Sequence, residues 1–600
     1  KPGQQQNPVA QLASGYQDNF RSTVVAALEF EQKLNFITEG LRFKALASFK
    51  NWSSTTNSAS AGWNKYHLQD FSVDDNGVYS FVTRLQNESG GEVSTDLKPG
   101  VANSGDRRFY FQAIMDYNRT FGKHDVNAMF IYNQDELVTQ LFSGDLIAAL
   151  PKRKQGVAAR LSYAYDGKYL AEVNMGYNGS ENFAKGHRWG FFPSIAVGYN
   201  ISEEAFFEPL KNVFSNMKIR ASWGLVGNDN IGGARFVYMP TINLTGTGYT
   251  TGLDGDITYK GPVYSRYGNP EVTWEVGKKV NVGLDLQLFN SLNLTMDYFH
   301  ETRTDIFQER GTIPQYLGTA GTKVFGNLAA MKNQGFDFAA DFNKKIGKDW
   351  FISFKGTFTY AHNEITKYDE SPKYAFQSKV GQSANIPSIM ISDGLFKDPD
   401  DVKNSNQQIG GNLSAGDIKY VNISKLYGYD DDIVDISDWV WAKNPTVPEI
   451  VYGFGPSIRW KNLDFSFFFQ GVAKVSLVMS DFHPFGDNSL RNVLTWIADD
   501  RWSPDNQNIN ATYPRLTRDT SVNNTQRSDY WLRNAAFIKL KNAEIGYTYK
   551  NMRFYVSGMN LATFSPFKHW DPEQGGGNGL KYPTQRVFNF GFQMTINNNR

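Results

Sequence analysis

From Phe588 the chain reads Phe, Asn, Phe, Gly, Phe, Gln, Met, Thr, Ile, with large apolar residues at 588, 590, 592, 594 and 596 and small or polar ones in every gap. A repeat of two puts alternate side chains on opposite faces of a β-strand, here one apolar and one polar. The pattern recurs along the chain. Val280, Val282, Leu284, Leu286 and Leu288 alternate with Asn281, Gly283, Asp285 and Gln287. The run "LNLTMDY" sets Leu292, Leu294, Met296 and Tyr298 against Asn293, Thr295 and Asp297. Tyr169–Tyr177, Phe336–Phe342, Ile352–Tyr360 and Leu463–Phe469 repeat it, with Asp337 and Asp341 on the polar side of the second. We trace about seventeen such segments, most of roughly ten residues or more, the length a tilted strand needs to cross a bilayer.

The connections between them are unequal. Short polar turns are expected at "FGKHD" (121–125), "YDGKY" (165–169), "FNSLN" (289–293), "KKIGKDW" (344–350), "WKNLD" (460–464) and "YKNMR" (549–553). Between them lie long excursions at about 52–106, 135–156, 228–271, 305–329, 363–450, 476–535 and 562–583. Two connections break the rule: 179–187 is short for the long side, and 200–216 on the turn side is long enough for a short helix. Such asymmetry is the habit of outer-membrane barrels, with short periplasmic turns and long extracellular loops. Aromatics crowd the short turns (Tyr165, Tyr169, Phe289, Trp350, Phe351, Trp460, Tyr547, Tyr549), as an interfacial girdle requires. A soluble sandwich or propeller would use shorter strands and no such asymmetry. The expected fold is therefore all-β, a transmembrane antiparallel β-barrel spanning residues 1–600. Phe588, Phe590, Phe592, Leu284, Leu286 and Leu294 would face lipid. Asn281, Asp285, Asn293, Asp297, Asp337 and Asp341 would face the lumen.

With short turns periplasmic, the last strand runs down to a periplasmic C-terminus, and the first clear strand (about Thr23–Leu34) also runs down. A chain entering from the periplasm begins with an upward strand, and bacterial barrels have even strand numbers. Strands and a plug are therefore expected upstream of residue 1.

Composition changes this picture little. Lys plus Arg number 61 and Asp plus Glu 60, so no basic excess points to nucleic acid. The mean hydropathy of −0.46 suits a barrel whose lipid-facing and lumen-facing residues alternate. No apolar run is long enough for a transmembrane helix, and the opening "KPGQQQNPVA" has no signal-peptide core. The absence of cysteine removes disulfides, thiolate catalysis and cysteine zinc sites.

Candidate chemistry is sparse. Seven histidines are scattered without metal-ligand spacing. Asp430, Asp431, Asp432, Asp435 and Asp438 in "YDDDIVDISD" offer hard oxygen ligands for Ca²⁺, without the EF-hand spacing; a solvated loop is the expectation. The glycine-rich "EQGGGNGLK" lacks the G-K-[ST] ending of a phosphate loop and is expected to be flexible. Nothing argues for an enzyme or a cofactor. Tryptophans concentrate in the long connections, notably Trp63, Trp439, Trp441, Trp496, Trp502 and Trp570. They suit contact with a ligand or a covering partner, or equally the small cores that long loops need.

The stretch "YLAEVNMGYNGSENFAKGHRWGFFPSIAVGYNISEEAFF" resembles the strand–loop–strand of SusC/RagA-like TonB-dependent transporters. So, in order, do "LPKRKQGVAARLSYAYDGKYL", "MKIRASWGLVGND", "NPEVTWEVGKKVNVGLDLQLFNSLNLTMDYF", "MKNQGFDFAADF", "AGDIKY", "VYGFGPSIRWKNLDFSFFFQG", "RWSPDN", "WLRNAAFIKLKNAEIGYTYK" and "RFYVSGMNLATFSPFKHWDPE". The resemblance covers most of the chain. It departs after "GDIKY", where "VNISKLYGYDDD" replaces a D-x-N-G-D-G segment, which weakens a calcium role there. It implies a 22-stranded barrel in the outer membrane of a Gram-negative bacterium, filled by an N-terminal plug. It also implies a SusD-like lipoprotein over the mouth, the TonB–ExbB–ExbD complex acting from the periplasm, and import of a large solute. A siderophore receptor without a lid and a soluble glycan-binding protein are the competing expectations.

Overall fold

The computed structural model describes residues 8–86, 91–139, 147, 150–232, 234–314, 322–429, 431–480, 494–517 and 521–596. Its dominant element is one antiparallel sheet of seventeen strands. In chain order these are β1 (Gly15–Lys33), β2 (Leu41–Ser60), β3 (Lys98–Phe121), β4 (His124–Thr139), β5 (Lys152–Tyr165), β6 (Tyr169–Ser180), β7 (Trp189–Asn200), β8 (Phe214–Asn228) and β9 (Glu275–Leu288). There follow β10 (Leu292–Glu309), β11 (Phe325–Ile346), β12 (Trp350–Lys367), β13 (Ile450–Trp460), β14 (Leu463–Ala473), β15 (Phe537–Tyr549), β16 (Met552–Phe564) and β17 (Val587–Met594). Each pairs with its neighbours in sequence, so the sheet is an uninterrupted meander. Among the described residues β1 pairs only with β2 and β17 only with β16, so these two are its edges.

The six short turns fall where the sequence places them, and their backbone explains why they are short. Asp166 and Gly167, like Phe289 and Asn290, are consecutive left-handed residues, the twist that lets a tight hairpin follow right-twisted strands. On the same side, two 3₁₀ turns (Ile201–Glu203 and Ala205–Leu210) fill the longer β7–β8 connection.

Register confirms the two-faced reading. Leu284 opposes Met296, Leu286 opposes Leu294, and Val282 opposes Tyr298, all on one face. On β16 and β17, Val556 opposes Phe590 and Phe554 opposes Phe592. Among the described residues no protein layer covers that face. Phe588, Phe590 and Phe592 are 61, 84 and 57% exposed, an apolar surface that water would not tolerate but lipid would. At the turn end of this face the rings of Trp350 and Trp460 stack, 5.6 Å apart, with Tyr165, Tyr169, Phe289, Tyr547 and Tyr549 also exposed. Phe351 departs from the expected girdle. It pairs with Arg459 and Lys345 on the polar face, because it is out of phase with Trp350 and Ile352.

The first long excursion is a second correction. Residues 52–60 and 98–106, expected in a loop, belong to β2 and β3; β2 stays in register with β1 from Arg42 to Ser60 and with β3 from Leu41 to Ser60. The stretch "SSTTNSAS" has no apolar alternation to betray a strand. Its β-structure comes from backbone pairing on both sides of β2, above the level where lipid demands an apolar face. The remaining 61–97 carries a small hairpin of Tyr66–Val73 and Tyr79–Leu85.

Candidate functional site

The polar face is built by the alternate positions the sequence marks. Asn281 and Asp285 on β9, Asn293 and Asp297 on β10, and Asp337 and Asp341 on β11 lie on one face, since Asp285 opposes Thr295, Asp297 opposes Asp337, and Asn293 opposes Asp341. Arg220 of β8 gathers three of the six. Its guanidinium donates to Asp285 Oδ2 at 3.1 Å, Asn281 Oδ1 at 3.3 Å and Asp297 Oδ2 at 2.6 Å. Thr359 donates to Asp337 at 2.7 Å, Asn343 donates to Asp341, and Lys355 lies 3.9 Å from Asp341.

Similar cross-strand pairs run round the face, Arg42 with Asp116, Arg160 with Glu172, and Arg553 with Asp464 and Glu544, and Arg303 pairs with Glu301 two residues away on its own strand. A cavity of about 670 Å³ opens on it, with Asn127, Ser162, Glu172, Lys218 and Arg220 in its wall. The arginines were missed from sequence, although Lys218, Arg220 and Ser222 alternate like the marked carboxylates.

At the other end of the strands, three excursions (368–449, 474–536 and 565–586) share one core. Leu395, Ile418, Tyr420 and Val434 from the first, Leu477, Ile497, Trp502, Tyr513 and Trp531 from the second, and Phe567 from the third are all buried in it. Polar bonds fix the seam between the first two. Arg515 holds the buried Asp417 at 2.8 and 3.0 Å, Asn524 donates to the same carboxylate at 2.8 Å, and Asn523 donates to the Ile418 carbonyl at 2.7 Å. The third is tied down by Lys539 of β15, 1% exposed, whose ammonium donates to Asp571 at 2.7 Å and Glu573 at 2.5 Å. Burial pushes both carboxyls up, but the Lys539 ammonium more than offsets this and leaves them below their ordinary range.

The tryptophans divide. Trp502 is buried inside this core at 6% exposure, so it presents no free face; its role is packing rather than contact with a ligand or partner. Trp439, Trp496 and Trp570 are half-buried against the core. Trp441 crosses Trp439 edge-on, its indole donating to the Ser378 carbonyl at 2.9 Å. Trp63, also half-buried, stands apart in the 61–97 excursion.

Of the aspartate cluster, Asp430 lies outside the described residues. Asp438 accepts from the backbone N–H of Ser424 and Asp435, Asp435 from Ser437, and Asp431 from Ile433 and Asn422. These carboxylates cap local turns, and among the described residues no group of three or more ligating side chains is placed to hold a metal ion.

The shared core encloses a histidine. His569 stacks on Trp496 at 4.5 Å, lies 3.3 Å from the Tyr513 hydroxyl, and is flanked by Phe567 and Trp570. Burial, then the nearby Arg533 charge, holds its imidazole below the ordinary value. Between the lowered and ordinary values the unfolded histidine binds a proton that the folded one refuses. Stability of this region is therefore full above about pH 6.5 and falls as pH drops through that value. We expect hydrogen exchange across 494–517 to accelerate from pH 7.5 to 5.5 beyond the chemical trend, and His569→Phe to abolish the excess. An excess that persists in the variant would place the titrating group elsewhere.

A meander of seventeen strands, apolar outside and ion-paired on its other face, with turns at one end and folded loops at the other, defines a β-barrel of the outer-membrane class. The chain belongs to the family described as TonB dependent receptor-like, beta-barrel, whose model matches residues 4–561. Members of this family reside in the outer membrane of Gram-negative bacteria. The chain is 25% identical to TonB-dependent receptor P3 of Formosa agariphila, over 96% of this chain and 58% of that protein. It is 27% identical to TonB-dependent receptor SusC of Bacteroides thetaiotaomicron, over 72% of this chain and 43% of that one. It therefore spans about half the length of the curated relatives it matches. The solved RagAB peptide transporter shares the fold at TM-score 0.70 and 19% identity, over 98% of this chain and 63% of that one.

Proposed function

We propose that this chain forms most of the wall and the cell-surface platform of an active importer of large solutes, oligosaccharides or peptides. The solute would enter between the folded excursions, pass along the polar face, and be released when TonB–ExbB–ExbD acts on a plug held inside the barrel. Asn281, Asp285, Asn293, Asp297, Asp337 and Asp341 then line the lumen with Arg220. The short turns and the C-terminus are periplasmic. The reading needs no catalytic residue and no cofactor.

The observation that carries it is the platform. Three excursions with a common buried core far exceed what strand closure requires, and long ordered loops are usually functional. A SusD-like lipoprotein is the partner we assign to that platform, with the exposed edges of Trp63, Trp439, Trp441, Trp496 and Trp570 as candidate contacts. A cover of that breadth would bury more than roughly 1,200–2,000 Å², the range of stable interfaces. Detergent pull-down of the intact transporter is expected to recover a surface lipoprotein at one-to-one stoichiometry through moderate salt. Recovery of the barrel without such a lipoprotein would overturn the assignment.

A further inference from the structure

The outward face changes character over three successive rows, each crossing four strands in register. One row is Phe130, Ala159, Met175 and Pro193; the next is Tyr132, Val157, Tyr177 and Phe191; the third is Gln134, Gln155, Gly179 and Trp189. Rows two residues apart stand about 7 Å from each other. The face thus passes from apolar, to aromatic, to amide within about 14 Å, toward the long-loop end. Aromatic residues mark the level of the bilayer interface, so the third row sits at the height of lipid headgroups. One step further along, Phe109 opposes Glu136 and Glu136 opposes Arg153, whose guanidinium holds the carboxylate at 2.6 Å.

Gly179 leaves the third row one side chain short. A Cβ there would lie 3.0 Å from the Trp189 indole, which rests against the strand and stacks on Tyr177 at 4.7 Å. The indole thus covers Gly179, and beside it opens a cavity of about 400 Å³ whose walls include Gln134, Gln155, Glu136, Arg153, Trp189 and Phe109. Of the other charged groups beside it, Asp135 and Lys154 are one residue out of phase and engage Arg108 and Asp229 instead, which leaves Glu181 and Arg188, one acid and one base, with the Glu136–Arg153 couple. A neutral wall of amides and a self-paired Arg–Glu couple does not select an anion. It offers donors and acceptors in equal measure beside a planar aromatic, the combination that suits vicinal hydroxyls on a ring with an apolar face.

We propose that this groove binds saccharide rings presented at the membrane surface, outside the transport path. The ligand chemistry is a hydroxyl-rich sugar with no required charge, carried either by an outer-leaflet glycolipid headgroup or by a free oligosaccharide. The groove lies on the outward face, so the proposal stands apart from the imported solute.

The test uses the intact transporter in phospholipid nanodiscs with and without rough lipopolysaccharide. Native mass spectrometry counts glycolipids retained, and saturation-transfer NMR reads binding of the delipidated core oligosaccharide. Wild type is expected to retain glycolipid and the Gln134→Leu/Gln155→Leu double variant to lose at least fivefold of it, with solute uptake unchanged. Trp189→Ala, checked for folding by gel mobility, should show the same loss. Oligosaccharide binding that is lost in the same variants, without glycolipid retention, would assign the free sugar as source. Retention equal in wild type and the double variant, with no oligosaccharide binding, would overturn the proposal, whatever the pull-down of the covering lipoprotein shows.

Discussion

Replacing Phe590 with arginine is expected to cost roughly 2–4 kcal/mol of barrel stability, the penalty measured for a cation at the bilayer midplane. Phe590 is 84% exposed on the apolar face and opposes Val556, itself exposed, so the residue across from it offers no charge to pair with a guanidinium. Asn589, one residue earlier, opposes Ser557 and looks onto the polar face, where Ser557 in turn opposes Glu544. Arginine at 589 would stay hydrated and gain an acidic neighbour. The measurement is the fraction of heat-modifiable, folded protein after refolding into lipid vesicles. Phe590→Arg should fall well below wild type while Asn589→Arg stays near it, and equal yields would refute the facing of β17.

Replacing Lys539 with methionine is expected to release the 565–586 excursion. The ammonium is almost fully buried and is shared by Asp571 and Glu573. Methionine fills the volume but leaves Asp571 without its cation, and breaking a buried pair from one side costs roughly 3–5 kcal/mol. Lys541 still reaches Glu573 at 3.0 Å, so Asp571 suffers most. Limited proteolysis within 573–581 should speed up by an order of magnitude or more, and Lys539→Met/Asp571→Asn should recover part of the protection. A variant as resistant as wild type would mean that Phe567 and Trp570 alone hold the excursion down.

The membrane-spanning part was legible because two local signals agree there. Alternation fixes which residues share a face, and short polar turns such as "FNSLN" (289–293) fix where the chain reverses. Both are read within a dozen residues. What the sequence hid depends on distant partners. Ser53–Ser60 has no periodic pattern and becomes strand only because β1 and β3 flank it. Arg220 meets Asp285 and Asp297 across 65 and 77 residues, and Asp417 meets Arg515 across 98. Side-chain spacing along the chain contains no trace of such pairs. The tryptophans were ambiguous for the same reason, since burial of Trp502 follows from a core assembled by three separate segments.

That composite core has a consequence for assembly. Its parts leave the sheet after β12, β14 and β16, and Phe567, His569 and Trp570 arrive only just before β17. The core therefore cannot close until the segments that follow β12, β14 and β16 have all been brought together. Loop closure over such separations makes this a late step, slower than local hairpin formation. Until then Ile418, Leu477, Ile497 and Trp531 lack the neighbours that bury them. The platform's core is thus complete only once Phe567, just ahead of β17, has joined residues contributed more than a hundred positions earlier.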